Sequence, residues 1–276
     1  MAKKRKGKVR RPPSGPSGWW VEATLEPVCR SVLRSAMDLL DMDDPLHAEL
    51  WASELVGMWS SLPLIGADPH DVIGESLVRK ARHRRSPETL AFLLALAAVA
   101  PPRLADKAGA AARELQAAGL CAPAWAAEAG RAVAVEAWMA GDSFGAQDAV
   151  FIAFRHGTRP AHTFVALVDH NLGDIVKDVF VAGAPKVVLD DWNGRSNLDA
   201  EPVSVTYAAA MLALGLEARE GWADPPSSRE LVQVEALLAA RLRGLVGVGT
   251  TRASAPAPAS LNTRSESQRR ALLTTG

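Results

Sequence analysis

The most unusual polar string of the sequence lies between residues 168 and 178 and carries residue types that can do chemistry. Asp169, His170 and Asn171 stand together, and Lys177 and Asp178 follow shortly after them. A carboxylate, an imidazole and an amine can supply a general base, a proton shuttle and an anion clamp. The candidate catalytic residues are therefore Asp169, His170, Lys177 and Asp178, and Asn171 is a candidate binding residue.

The strand register decides which of these side chains can face one pocket. Successive residues of a strand point to opposite faces, so Asp169 and His170 diverge unless the turn has already begun. If Val168 lies opposite Lys177, His170 shares the face of that lysine, whereas a slip by one residue gives the place to Asp169. A structural alternative is that residues 171–173 only make the turn, and that the charges are solvated or paired across the hairpin.

Two further histidines, His156 and His162, flank a predicted turn over residues 157–161. In one hairpin register they are cross-strand neighbours, and two imidazoles in that position could bind a metal ion. The sequence supplies no clear third ligand, although Asp148 and His170 could meet at the other end of the same hairpin. We therefore predict no metal site and expect His156 and His162 to be exposed candidate binding residues beside a turn.

Two linear signatures of known reactions are missing from the sequence. There is no HExxH and no Walker A string. The glycines of residues 244–249 follow a predicted helix, whereas a dinucleotide loop follows a strand and opens a helix. The acidic loop at 190–194 lacks the ligand spacing of a calcium loop. The sequence thus identifies no cofactor.

Helices are predicted over residues 22–141, and three of them open with a capping side chain directly before a proline. These openings are Asp44 and Pro45, Asp68 and Pro69, and Ser86 and Pro87. Apolar residues recur on one face of the first of these helices and place Trp51 and Trp59 in the core. The helix after Pro87 is apolar nearly all round, which predicts a central position. Two more helices are expected at roughly 102–118 and 123–140, ended by Gly119 and Gly141.

Strands are predicted over residues 149–156, 161–170 and 175–181, separated by turn sequences, which indicates an antiparallel meander. The first two strands are apolar on both faces, so both faces must be covered. We expect the N-terminal helices on one face and the later helices on the other. A short extended piece is expected at 186–189 and a helix at 203–216. A capping box of Ser227 and Glu230 predicts the last helix.

The predicted fold class is α+β, with an N-terminal helical bundle packed on a small antiparallel β-meander and completed by C-terminal helices. Residues 1–18 form a disordered basic arm and residues 19–145 the bundle. Residues 146–249 hold the meander and the C-terminal helices. Residues 250–276 form a disordered or weakly ordered tail.

Charge and composition limit the classes of partner that the protein can bind. Seven basic residues lie in residues 3–11, while the chain as a whole has a formal net charge of zero. The rest of the chain is therefore net acidic, which leaves nucleic acid as a partner only through the arm at 3–11. The apolar runs are too short for a membrane span. Cys29 and Cys121 show no metal or redox spacing and are predicted to be buried in helices. The expected compartment is the cytoplasm.

The string VDHNLGDIVKDVFV at residues 168–181, after an apolar strand and a helical half, resembles uncharacterised conserved proteins of high-GC actinobacteria. The resemblance covers the meander and some of the helices before it. It implies a bacterial cytoplasmic protein, adds weight to the hairpin site and carries over no catalytic role. The leading hypothesis is a non-catalytic interaction or regulatory protein with a protein partner. The alternative is an enzyme or a small-ligand-binding protein with a polar site at the end of the meander.

Overall fold

A computed structural model of the chain describes residues 18–60, 68–195, 199–222 and 225–246. The basic arm at 3–11 and the tail from residue 250, both predicted to lack order, lie outside the described residues. Every helix within the described ranges is too short or too polar to cross a membrane.

Five helices make up the N-terminal half. They are α1 (Gly18–Ser35), α2 (Pro45–Ser60), α3 (Glu75–Arg84), α4 (Pro87–Val99) and α5 (Pro102–Ala117). The predicted openings are confirmed, since Asp44 accepts a hydrogen bond from the backbone of Leu46 at 2.9 Å and Asp68 accepts one from His70 at 2.8 Å. At the start of α4, the backbone N–H of Ser86 donates to Thr89 Oγ1 at 3.0 Å. Helix α4 is buried on nearly every side, as its composition predicts.

The core positions expected for two tryptophans are also confirmed. Trp59 is buried, and Trp51 packs edge-on against Phe92 with the ring centroids 6.4 Å apart. Cys29 is buried as predicted, but the prediction for Cys121 was wrong. Cys121 follows the end of α5 and is exposed, because the chain has already left the helix there.

A five-stranded antiparallel sheet follows the helices. Its strands are β1 (Val133–Gly141), β2 (Gln147–Arg155), β3 (His162–Asp169), β4 (Ile175–Ala182) and β5 (Glu201–Val203). Their order across the sheet is β4-β3-β2-β1-β5. The three predicted strands are confirmed as β2, β3 and β4, and the α+β class is confirmed with them.

Two segments were predicted wrongly. The helix expected at 123–140 is a single 3-10 turn at Ala124–Ala127 followed by β1, in which Gly141 is the last strand residue. The β-branched Val133 and Val135 favour a strand, and pairing of β1 with both β2 and β5 decides the outcome. The extended piece expected at 186–189 lies inside α6 (Pro185–Arg195).

The remaining helices, α7 (Val205–Glu220) and α8 (Arg229–Val246), pack against the sheet, and α8 also packs against α2 and α4. The expectation that the later helices take the face opposite the N-terminal helices was therefore wrong for α7 and α8, which share one core with them. Among the described helices, α6 covers the other face, where Trp192 meets Phe151 edge-on with the ring centroids 5.2 Å apart. One large core joins the N-terminal helices, α7, α8 and the inner sheet face, and a small second cluster lies under α6.

Close contact between α2 and α8 requires a glycine. A Cβ added at Gly57 would overlap the backbone carbonyl of Val232. Gly215 plays a similar part between α7 and β4, since a Cβ there would lie 2.9 Å from the carbonyl oxygen of Asp174. These two positions set the distance between α8, α7 and the elements beneath them.

We predict that Gly57→Ala destabilises the protein by about 1–3 kcal/mol, because the added methyl group forces α2 and α8 apart. The matched control is Gly244→Ala, also within a helix, where a Cβ meets nothing within 4 Å. That control should leave stability unchanged or raise it by up to about 1 kcal/mol through helix propensity. Urea unfolding followed by circular dichroism measures both, and equal effects of the two changes would contradict the packing argument.

Candidate functional site

The polar residues predicted at the β3–β4 hairpin form two separate groups. In the first, buried Asp169 accepts hydrogen bonds from the backbone N–H of Asn171 at 3.1 Å and from Gln147 Nε2 at 3.1 Å. Lys177 Nζ lies 3.4 Å from the same carboxylate. The structure thus brings Asp169, Asn171 and Lys177 together, with the carboxylate occupied by protein donors.

A bulge in β4 decides this arrangement. Leu167 pairs with Asp178 and Val168 pairs with Val176, so Lys177 is an extra residue that has no directly opposite residue in the backbone pairing with β3. Of the two registers considered, the structure follows the one in which Asp169 shares the side of Lys177. The bulge could not be read from the alternation of the strand.

The second group surrounds His170, which lies in a short 3-10 turn after β3. Its Nε2 is 3.0 Å from Asp148 and its Nδ1 is 2.6 Å from Asp174. The meeting of Asp148 and His170 is therefore confirmed. Burial lowers the pKa of His170, but the hydrogen bonds to Asp174 and Asp148 outweigh it and raise the pKa above its ordinary value. With a carboxylate on each ring nitrogen, the imidazole has no free lone pair for taking a proton from a substrate.

Asp178 belongs to neither group. It accepts a hydrogen bond from the hydroxyl of Ser228, and Ser228 Oγ in turn accepts from the backbone N–H of Leu231 at 2.9 Å. Ser228 is thus the cap of α8, and the prediction of Ser227 for that position was wrong. Ser227 instead donates to the carbonyl of Pro225 at 3.1 Å. Asp178 ties the beginning of α8 to β4.

The expectation that His156 and His162 are exposed was wrong. Both are buried, with their rings stacked at a centroid distance of 5.5 Å, and Arg241 of α8 and Glu49 of α2 contact His156 at this end of the hairpin. His162 also stacks against Phe154 at 6.3 Å. No group of three or more histidine, cysteine or acidic side chains in the described ranges could hold a metal ion.

His156 belongs to a buried charge network, a name we use for Glu49, His156 and Arg241. Glu49 is fully buried on α2 and accepts from the backbone N–H of Gly130 at 2.7 Å. His156 Nε2 lies 3.2 Å from Glu49 and 3.1 Å from Arg241 Nη2, and a second Arg241 contact reaches the carboxylate directly. The ring nitrogen can accept from Arg241 when it carries no proton, or donate to Glu49 when it does.

Electrostatics set the protonation of this region. Burial raises the pKa of Glu49, but the hydrogen bond from His156 and the charge of Arg241 outweigh it, so the pKa is lowered overall. Burial, followed by the charge of Arg241, lowers the pKa of His162 from 6.5 to about 4. His162 is therefore neutral at pH 7. The sequence analysis missed Glu49, although Arg241 stands at an apolar position of its helix, which is a signal of a buried charge.

A second candidate site is a cleft of about 710 Å³ formed by α2, α4, α7 and α8, with Trp222, Pro225 and Ser227 between the last two helices. Its apolar lining includes Val56, Val99, Pro101, Trp222, Pro225 and Val232. Its polar lining consists of His70, Arg219, Glu220, Ser227, Glu235 and Arg243. Helix α8 presents positions 232, 235, 236, 239 and 243 to the cleft, which is one face at helical spacing. The sequence analysis missed this site because its residues come from distant segments.

Arg219 anchors one end of the cleft. It is 5% exposed and donates to the carbonyl of Val176 at 2.9 Å, to that of Pro226 at 2.6 Å and to Ser227 Oγ at 2.8 Å. Glu235 lies 3.8 Å from its Nε, beyond hydrogen-bond distance. Burial raises the pKa of Glu235 although the charge of Arg219 lowers it. The wall of the cleft is thus held in place before any ligand arrives.

We predict that Arg241→Met destabilises the protein by about 3–5 kcal/mol, because it leaves Glu49 as a buried charge without its cation. The control is Arg82→Met, where an exposed arginine pairs with Glu114 at 2.5 Å. An exposed pair contributes at most about 1 kcal/mol. Urea unfolding at pH 7 measures both variants, and similar losses for the two would exclude a special role for the buried charge network.

The neutral state of His162 predicts a pH-dependent stability. The unfolded chain takes up a proton on this histidine near pH 6.5, whereas the folded chain does so only near pH 4. The contribution of neutral His162 to the free energy of unfolding is therefore complete above pH 6.5 and is lost as the pH falls towards 4. Across this pH range, the free energy of unfolding of His162→Phe should fall by about 3 kcal/mol less than that of the wild type.

Unfolding curves at pH 7, 5.5 and 4 test this prediction. His83→Phe, at an exposed histidine of α3, is the control and should keep the pH dependence of the wild type. An unchanged pH dependence in His162→Phe would show that His162 is not the titrating group.

Comparison with known proteins adds no relative. The sequence matches no protein-family model, no curated protein and no solved structure. The resemblance to actinobacterial proteins stays a prediction, and the function has to be derived from the geometry of this chain.

Proposed function

We propose that the protein binds a small organic molecule in the cleft between α2, α4, α7 and α8. The observation that carries this proposal is the volume of about 710 Å³, which falls in the range of 300–1,000 Å³ typical of ligand sites. The proposal moves the site of the small-ligand alternative from the hairpin to the space between these four helices.

The lining supports this proposal. Apolar side chains form most of the walls, and a few polar groups converge on the space, as in most small-molecule sites. The small side chains of Ala236 and Ala239 leave room above α8. Rigid elements hold the walls, because Gly57 sets the approach of α2 and Arg219 joins β4 to the connection before α8. Such preorganisation lowers the entropic cost of binding.

The hairpin residues support a ligand site less well. The two nitrogens of His170 and the carboxylate of Asp169 already have partners within the hairpin. Asp178 is bonded to the cap of α8. These groups hold the hairpin and α8 in position, and their roles as catalytic residues remain a proposal with weaker support than the cleft.

We predict that Ala239→Trp abolishes binding of the neutral fluorescent probe N-phenyl-1-naphthylamine, because the indole fills the cleft. The matched control is Ala110→Trp, at an exposed position of α5, which should bind the probe as the wild type does. Fluorescence titration measures the affinity, and circular dichroism checks that each variant is folded.

Two outcomes would overturn the cleft proposal. One is the absence of probe binding to the wild type, and the other is equal binding by Ala239→Trp. Either would leave the interaction role with a protein partner as the better-supported function. Exposed apolar side chains are consistent with that role, among them Phe180 and Val187 beside the sheet face that α6 covers.

A further inference from the structure

We infer that the ligand of the cleft carries an anionic group, such as a carboxylate or a phosphate, that pairs with Arg243. This inference rests on the proposed function, since it names the chemical class of the molecule that the cleft would hold. The class is an organic acid with an apolar body.

The position of Arg243 is set by the end of α4. Its Nη2 donates to the carbonyl of Ala100 at 2.9 Å and approaches that of Val99 at 3.4 Å. The last carbonyls of a helix lack intrahelical donors and carry partial negative charge, so a guanidinium is favourable there. These contacts explain why the arginine stands at this place, where it is one of the residues that line the cleft.

Within the part of the chain that the structure describes, no carboxylate neutralises the charge of Arg243. In the described ranges no carboxylate lies within ion-pair distance of it, whereas Arg82, Arg103, Arg219 and Arg241 each have one. A guanidinium has five N–H donors, and the two carbonyls use only those of Nη2. The N–H groups of Nε and Nη1 are left to donate charge-assisted hydrogen bonds to a carboxylate or phosphate.

The other charged residues of the cleft are less able to bind an anion. Arg219 already donates to three protein acceptors and faces Glu235. Glu235 stands eight residues before Arg243 on α8, about 12 Å along the helix axis. Glu220 adds a second carboxylate to the lining. An anion is therefore favoured only at the Arg243 end, and the apolar walls between the two ends suit an apolar body.

A pair of probes that share one ring system tests the inference. The probe 8-anilinonaphthalene-1-sulfonate differs from N-phenyl-1-naphthylamine only by its sulfonate group. We predict that Arg243→Gln weakens binding of the sulfonate probe about tenfold or more, as expected for a lost charge-assisted hydrogen bond. Binding of the neutral probe should change less than twofold. Arg243→Lys should retain part of the preference for the anion.

Two controls distinguish a failure of this inference from a failure of the cleft proposal on which it rests. Arg195→Gln, at an exposed arginine of α6, should leave the affinity for both probes unchanged. Ala239→Trp should remove the binding of both. If the neutral probe binds in the cleft and Arg243→Gln affects neither probe, or weakens both equally, the anionic group is excluded and the cleft proposal stands. If neither probe binds the wild type, the cleft proposal fails first.

Discussion

A buried ion pair between Glu49 and Arg241 connects the two halves of this protein. Glu49 comes from the N-terminal helices and Arg241 from the last helix, and His156, directly after β2, contacts both. Burying these charges costs several kcal/mol for each ion unless partners compensate. Compensation comes from the backbone N–H of Gly130, from the imidazole and from the face of Phe154, which lies 5.9 Å from the guanidinium. Together with the close approach at Gly57, this network joins α8 to α2.

Helix α8 is consequently the element that connects the N-terminal helices to the sheet. Its core face carries Leu231, Leu238 and Leu242 together with Arg241, and its other face forms the floor of the cleft. Close packing at Gly57 and the cap at Ser228 hold the same helix at two more points. The shape of the cleft therefore depends on the interactions that stabilise the fold, since any shift of α8 would move both faces together.

The hairpin shows how residue types associated with catalysis can serve structure instead. His170 joins Asp148 to Asp174, and Asp174 adopts a positive φ of 63° in the turn that this contact holds. Asp169 gathers donors from both neighbouring strands. The chemistry that made these residues candidates, namely strong hydrogen bonding by charged groups, is the chemistry that closes a hairpin tightly.

The sequence by itself determined the helices that open with Asp-Pro or Ser-Pro, the central position of α4 and the strands β2, β3 and β4. These features depend on local signals, because a capping side chain, a proline at the first helical position or a run of β-branched residues acts within a few residues. The α+β class follows from the same signals.

Only the tertiary structure decided the rest. Strand β1 depends on its two neighbours, the position of Lys177 depends on a bulge against β3, and the burial of His156 and His162 depends on α8. The cleft is lined by residues from Val56 to Arg243, which no local pattern relates. Pairing, bulges and burial are contacts between segments far apart in the chain, and their free energies depend on which surfaces meet rather than on the order of the residues.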